Sequence, residues 1–221
     1  MKPCRIHKDA VLQVCKHDEP CRYFKSRKTP ERGFDSRSRY VDEVICENDE
    51  LIETGNSFFA KFYTKDKRDK ARNEKKILRY LEDNGFYNTF FPHLLSYDEK
   101  SKMVVCKSND FVEEKTKHTS NCINKYAGLI IEELDGFKTL EEYKELSPEE
   151  KQVVNNKVKR RIRKLHRLGV SHGDLFKQNI LYKKYKGGIG VRLIDFAKAK
   201  IDASPEDIEN DNRKLESRII L

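Results

Sequence analysis

The sequence predicts an α+β domain with a sheet-rich first part and a helical second part. Three observations carry this expectation. Runs rich in aromatic and β-branched residues fill the region from Tyr40 to Glu132. Two strong helix starts, Ser147-Pro148-Glu149-Glu150 and Ser204-Pro205-Glu206-Asp207, come after them. Between those starts lie two short apolar runs joined by a glycine-rich turn, the pattern of a hairpin. Strands that precede helices, rather than alternating with them, suit α+β rather than a parallel α/β sheet.

Residues 1–39 differ from the rest. They hold three of the six cysteines and the basic residues Arg22, Lys25, Arg27, Lys28, Arg32, Arg37 and Arg39, and they read as an N-terminal extension. Regular structure is expected from Tyr40. Tyr40–Cys46 and Ser57–Tyr63 have strand composition, with turns at Asn48-Asp49 and Thr54-Gly55-Asn56. A helix follows, with Asp66 as cap, Asp69 three residues on, and an apolar stripe of Ala71, Ile77, Leu78 and Leu81. Asn84-Gly85 stops it, because glycine adopts the left-handed conformation of a helix end. Lys102–Cys106 and Gly128–Glu132 are the next strands. Thr139 with Glu142 opens a short helix. The helix starting at Ser147 buries Val154, Val158, Ile162 and Leu165 on one face and ends at Gly169. Asn179–Tyr182 and Val191–Ile194 form the hairpin. The last helix carries Ile208, Leu215 and Ile219.

Charged residues make up 38% of the chain and hydrophobic ones 37%, but the apolar residues fall in periodic blocks that can bury surface, which argues against a disordered chain. No apolar run reaches the roughly 20 residues that span a bilayer, and Met1–Ala10 lacks the apolar core of a signal peptide. Scattered cysteines without an export signal fit a reducing, intracellular compartment, cytoplasmic with a nuclear location open. The net charge of +9 attracts anionic partners, RNA or acidic protein, without choosing between them. The basic run Asn156–Arg167 is expected to be the solvated face of a packed helix. Cys4, His7, Cys15 and Cys21, with His17 and Asp18 nearby, have zinc-ligand residue types; free thiols are the expected state.

The chemistry concentrates in Val170-Ser171-His172-Gly173-Asp174-Leu175-Phe176-Lys177-Gln178-Asn179-Ile180-Leu181, followed by Leu193-Ile194-Asp195-Phe196-Ala197. H-G-D-L-x-x-x-N-I-L followed by I-D-F resembles the catalytic loop and metal motif of the protein-kinase-like superfamily. Phosphoryl transfer needs a carboxylate to orient the acceptor hydroxyl and oxygen ligands for magnesium on the nucleotide phosphates. The resemblance implies that Asp174 does the first and that Asn179 and Asp195 do the second. Phe59-Ala60-Lys61-Phe62 resembles the strand whose lysine contacts nucleotide phosphates, and Glu74 resembles its helix partner. Leu129–Gly136 resembles the strand and hinge between two lobes, where main-chain groups from Glu132 to Leu134 would meet the adenine edge. His166 and His172 are expected to brace the loop rather than react.

The pattern departs from the family in four ways. No G-x-G-x-x-G precedes Lys61, only Gly33-Phe34-Asp35-Ser36 and Gly55-Asn56-Ser57. Gly173 replaces a common arginine, as is typical of lipopolysaccharide core sugar kinases, aminoglycoside and choline kinases, and the small kinase of the tRNA threonylcarbamoyl-adenosine complex. Ala197 stands where glycine is usual. Only 26 residues follow Asp195, short of a full peptide-binding segment. The resemblance thus implies a minimal, two-lobed kinase-like fold over 40–221, with an N-lobe at 40–133 and a truncated C-lobe at 134–221. It implies an ATP- and Mg2+-dependent phosphotransferase acting on a protein Ser/Thr or small-molecule hydroxyl. A kinase-fold scaffold (pseudokinase) with weak turnover is the alternative.

Overall fold

A computed structural model of the chain describes residues 12–14, 22–28, 37–47, 50–63, 65–86, 90–98 and 127–219. The expected strand at 102–106, the turn at Asn48-Asp49, the glycine candidate Gly33-Phe34-Asp35-Ser36 and the set Cys4, His7, Cys15 and Cys21 lie outside the described residues. The chain forms two compact units. The first takes in Met1–Ala71 and Leu94–Glu133, the second Arg72–His93 and Leu134–Leu221.

The first unit is a six-stranded antiparallel sheet. Its strands are β1 (Leu12–Val14), β2 (Arg22–Lys28), β3 (Arg37–Glu47), β4 (Glu50–Tyr63), β5 (Leu94–Asp98) and β6 (Ala127–Glu132), in the spatial order β1-β2-β3-β4-β6-β5. β4 pairs with β3 on one side and β6 on the other, with Lys61 opposite Ser38 and Leu129. Val41, Phe58, Ala60, Tyr63, Leu129, Ile130 and Ile131 are buried there. Two strands come from the stretch read as an extension. β2 carries four basic residues, so its composition hides a ladder made by the backbone.

The expected turn at Thr54-Gly55-Asn56 is a bulge inside β4. Val44 pairs with Glu53 and Asp42 with Ser57, so three residues oppose Glu43 alone. The chain does not reverse, because the ladder resumes on both sides of the insertion. Gly55 takes the left-handed φ of 80° that the bulge needs. Thr54 Oγ1 donates to the Glu43 carbonyl at 3.1 Å and Asn56 Nδ2 to the Glu43 carboxylate at 3.0 Å.

A single 3₁₀ turn, Lys65–Lys67, leads into α1 (Arg68–Asp83). Asp66 lies in that 3₁₀ turn and Asp69 in the first turn of α1. Ala71, Ile77, Leu78 and Leu81 of α1 are all fully buried, as the stripe predicts. Gly85, at φ 79°, ends the helix: its N–H donates to the Glu82 carbonyl at 2.9 Å and that of Phe86 to Leu81 at 3.1 Å.

The rest of the second unit holds a three-stranded sheet, β7 (Lys138–Thr139), β8 (Ile180–Tyr185) and β9 (Gly188–Leu193), with α2 (Pro148–Arg167) and α3 (Pro205–Lys214). Leu140–Glu145 is a 3₁₀ helix; Thr139 stands at its N-cap, but its side chain makes no capping hydrogen bond. Both expected helix starts carry capping boxes. Ser147 accepts from the Glu150 N–H and Ser204 from that of Asp207, and each acidic side chain returns the bond. Val154, Val158, Ile162 and Leu165 of α2 are buried. Its basic face is not simply solvated. Lys157 Nζ donates to the Ile189 carbonyl at 2.6 Å and Arg161 Nε to that of Val191 at 2.9 Å, which ties α2 to β9.

Ser147→Ala should lower the unfolding free energy by about 1 kcal/mol, because it strips the α2 N-terminus of its cap. Val153→Ala, at an exposed position of the same helix, should change it by less than about 0.5 kcal/mol. Urea denaturation of the two variants checks this, and an unshifted midpoint for Ser147→Ala refutes the cap's contribution.

Candidate active site

The catalytic-loop candidate begins where α2 ends. Gly169, at φ 70°, donates its N–H to the His166 carbonyl and Val170 donates to Leu165, a two-bond helix stop. Ser171 then exchanges both main-chain hydrogen bonds with Lys200, each at 3.0 Å. The segment that follows Asp195 is thereby stitched to the segment that precedes Asp174.

Asp211 of α3 holds the loop from below. Its carboxylate, fully buried, accepts the N–H of His172 at 2.6 Å and that of Gly173 at 3.0 Å. His166 Nε2 lies 3.3 Å from the same carboxylate. Burial pushes the Asp211 carboxyl up, but the hydrogen bonds from His166 and the two amides outweigh it and hold it below the ordinary carboxylate range.

His172 is buried and braces the loop, as the sequence suggests. Its Nε2 is 3.1 Å from the Ile194 carbonyl, and its Nδ1 is 3.3 Å from the Asp174 amide nitrogen. A carbonyl can only accept and an amide N–H can only donate. The ring is therefore neutral, with hydrogen on Nε2 and a bare Nδ1. Burial is the main cause of a pKa below the ordinary 6.5. The ring also packs 4.8 Å from that of Phe196, which in turn meets Phe91 edge-on at 6.2 Å. The phenylalanine of D-F-A is thus a core residue.

Gly173 explains a departure from the kinase pattern. It sits at φ 75°, and a Cβ on it would lie 2.3 Å from the Lys198 carbonyl oxygen. No side chain fits there, arginine included. Its own carbonyl accepts from Lys214 Nζ at 2.8 Å.

Asp174, Asn179 and Asp195 gather at one end of the β8–β9 hairpin. Ile180 pairs with Leu193, and the Ile194 N–H donates to the Asn179 carbonyl at 3.0 Å, so Asn179 and Asp195 leave the ladder side by side. Asn179 is buried, and its Nδ2 donates to the Asp174 carbonyl at 2.9 Å. That fixes the amide so that Oδ1 is the atom offered to a ligand. Asp195 adopts φ 64°, a left-handed conformation uncommon outside glycine and a mark of functional sites. An amide oxygen and a carboxylate are hard oxygen donors that suit magnesium, which takes its other ligands from phosphate and water. Among the described residues no group of three acidic, histidine or cysteine side chains gathers to hold a metal alone.

α1 grips the segment after Asp195 through two neighbouring residues. Glu74, 1% exposed, accepts the Phe196 N–H at 3.3 Å. Asn73 Nδ2 donates to the carbonyls of Ala197 and Ala199, at 3.1 and 2.8 Å. In the first unit, Lys61 is buried on β4, with Nζ 5.6 Å from the Tyr63 ring centroid. Glu132 ends β6, and the Leu134 carbonyl accepts from Phe137 in a turn. Asp211, Asn73 and Lys198 were not singled out from sequence. Each is a polar residue in a charged stretch, and only its distant partners give it meaning.

No helix among the described residues is long and apolar enough to cross a membrane. A model of the lipopolysaccharide kinase (Kdo/WaaP) family matches residues 100–219, just over half of the chain. No curated protein matches it.

Gly173→Ala should cost roughly 1–3 kcal/mol through its left-handed backbone and the clash with Lys198. Denaturation measures this, and a neutral result would refute the close approach. Stability should also fall as pH drops below about 6.5, where the unfolded imidazole takes up a proton that folded His172 refuses. His172→Gln, which keeps a donor toward Ile194, should flatten the fall in thermal midpoint between pH 7 and 5.5. An equal fall in both proteins would contradict the neutral assignment.

Proposed function

We propose that this chain, which belongs to the lipopolysaccharide kinase (Kdo/WaaP) family and is thus a kinase-type phosphotransferase, moves the γ-phosphoryl group of ATP to a hydroxyl acceptor with magnesium as cofactor. The observation that carries the reading is the common placement of Asp174, Asn179 and Asp195 at the open end of one hairpin, each fixed by hydrogen bonds or backbone conformation.

Asp174 is assigned to the acceptor. Its main chain is held through His172 and Asn179, so its carboxylate can receive the hydroxyl proton while the acceptor oxygen forms its bond to phosphorus. The bond from phosphorus to the β–γ bridging oxygen breaks, and ADP leaves with that electron pair. Asn179 Oδ1 and the Asp195 carboxylate are the atoms that would hold magnesium, which supplies charge neutralisation on the phosphates. Glu74, Asn73 and Asp211 position these groups without touching substrate. Lys61 is assigned to the nucleotide phosphates and main-chain groups at 132–134 to the adenine edge, both on the resemblance of their segments. A protein Ser/Thr side chain and a small hydroxylated molecule both remain acceptors that this chemistry serves.

Asp174→Asn should keep the fold and the ATP-induced rise in thermal midpoint while cutting transfer on the order of 100-fold or more. Asp195→Asn should instead abolish most of the magnesium-dependent part of that rise. Lys61→Met should weaken nucleotide positioning. Calorimetry with ATP and magnesium, beside transfer assays over protein and small-molecule acceptors, reads all three. A wild-type protein whose midpoint ignores millimolar Mg-ATP would replace the kinase reading with that of a kinase-fold scaffold.

A further inference from the structure

We propose that Lys198 is a second catalytic cation, which stands on the acceptor side of the transferring phosphoryl group and stabilises its charge during transfer. The inference rests on the kinase reading of Asp174. Lys198 Nζ donates to Asp174 Oδ1 at 2.9 Å, with about half of the lysine side chain exposed.

The pair is built rather than incidental. Its backbone is set at three points. The Lys198 carbonyl is pressed against Gly173 so closely that a Cβ there would be 2.3 Å away. Two residues on, Lys200 exchanges two main-chain hydrogen bonds with Ser171. On either side of Lys198, Asn73 holds the carbonyls of Ala197 and Ala199. A surface ion pair without such support is worth little. Here the main chain delivers the ammonium to one particular carboxylate.

The chemistry follows from that address. The acceptor oxygen that hydrogen-bonds to Asp174 is the atom that attacks phosphorus. A cation on the same carboxylate therefore borders the transferring group, on the side away from the leaving ADP. With Oδ1 engaged by Lys198, Oδ2 is left to take the acceptor proton. As the phosphoryl group passes, the charge spread over its three equatorial oxygens draws the ammonium partly off Asp174. The bonds made and broken are those of the parent reaction, and Lys198 neither gains nor loses a proton.

Two measurements test the assignment. In the first, the wild-type amine is labelled with an acetylating reagent and read by mass spectrometry, at saturating Mg-ATP and at saturating Mg-ADP. Saturation is confirmed by the thermal shift of the same samples. Mg-ATP should slow labelling of Lys198 several-fold relative to Mg-ADP, because only ATP presents a γ-phosphate. Equal rates at confirmed saturation overturn the proposal. Failure of either nucleotide to bind overturns the kinase reading and the proposal with it.

In the second, kcat and KM are measured for Lys198→Met and Lys198→Arg. Lys198→Met should lose roughly 10- to 100-fold in kcat with KM for ATP and thermal midpoint nearly unchanged, and Lys198→Arg should recover most of the loss. If Lys198→Met matches the wild type, the cation has no catalytic part. If it is faster, the pair is a blocking contact and the proposal is wrong. Loss in both variants alike would show a packing role and equally refute it.

Discussion

The buried carboxylate of Asp211 is the contact on which the loop from Ser171 to Asn179 depends. Removing a charge from water costs several kcal/mol unless hydrogen bonds compensate. Asp211 is offered three donors, the His172 and Gly173 amides and His166 Nε2. Two successive amides can turn toward one carboxylate only if the chain bends sharply there, and Gly173 supplies the bend at φ 75°. Once the amides are fixed, the His172 ring faces the Ile194 carbonyl and its Nδ1 receives the Asp174 N–H. One anion in α3 thus sets the direction in which the main chain carries Asp174.

The same constraint accounts for the glycine in H-G-D. With the Lys198 carbonyl lying where a Cβ would be, position 173 has no room for the arginine common in larger kinases. The loop is instead tied by residues of its own unit: Asp211 below, Lys214 on the Gly173 carbonyl, and the Ser171–Lys200 bridge at its edge. Asn73 and Glu74 complete the hold by binding three main-chain groups of Phe196–Ala199 from α1.

The sequence was most legible where one local rule decides the structure. Ser147 and Ser204 announce their helices because capping is settled within three residues. Val154, Val158, Ile162 and Leu165 announce a buried face because helical period alone groups them. The meeting of Asp174, Asn179 and Asp195 at one end of a hairpin was legible through a motif. The rest depends on contacts far along the chain. Asp211, flanked by Asn210 and Asn212, reads as an ordinary polar helix residue until the loop residues 38 and 39 positions earlier meet it. Asn73 acts across more than 120 positions. β2 hides behind basic side chains because its ladder is made by the backbone. The Thr54-Gly55-Asn56 bulge carries turn residues because a bulge and a turn both need glycine's left-handed freedom.

The net charge of +9 is similarly easier to count than to interpret. Within the basic run of α2, Lys157 and Arg161 are committed to β9 carbonyls. Lys164 lies 4.7 Å from the Phe90 ring centroid and Arg161 4.5 Å from it. Burial is the main cause that lowers the Arg161 pKa to about 10, which still leaves it charged at neutral pH. These cations fasten the helix to the sheet. Arg160, Arg163 and Arg167 are the exposed cations of the run. Their spacing of three and four places them on one helix face. An anionic partner of this helix would meet those three guanidinium groups first.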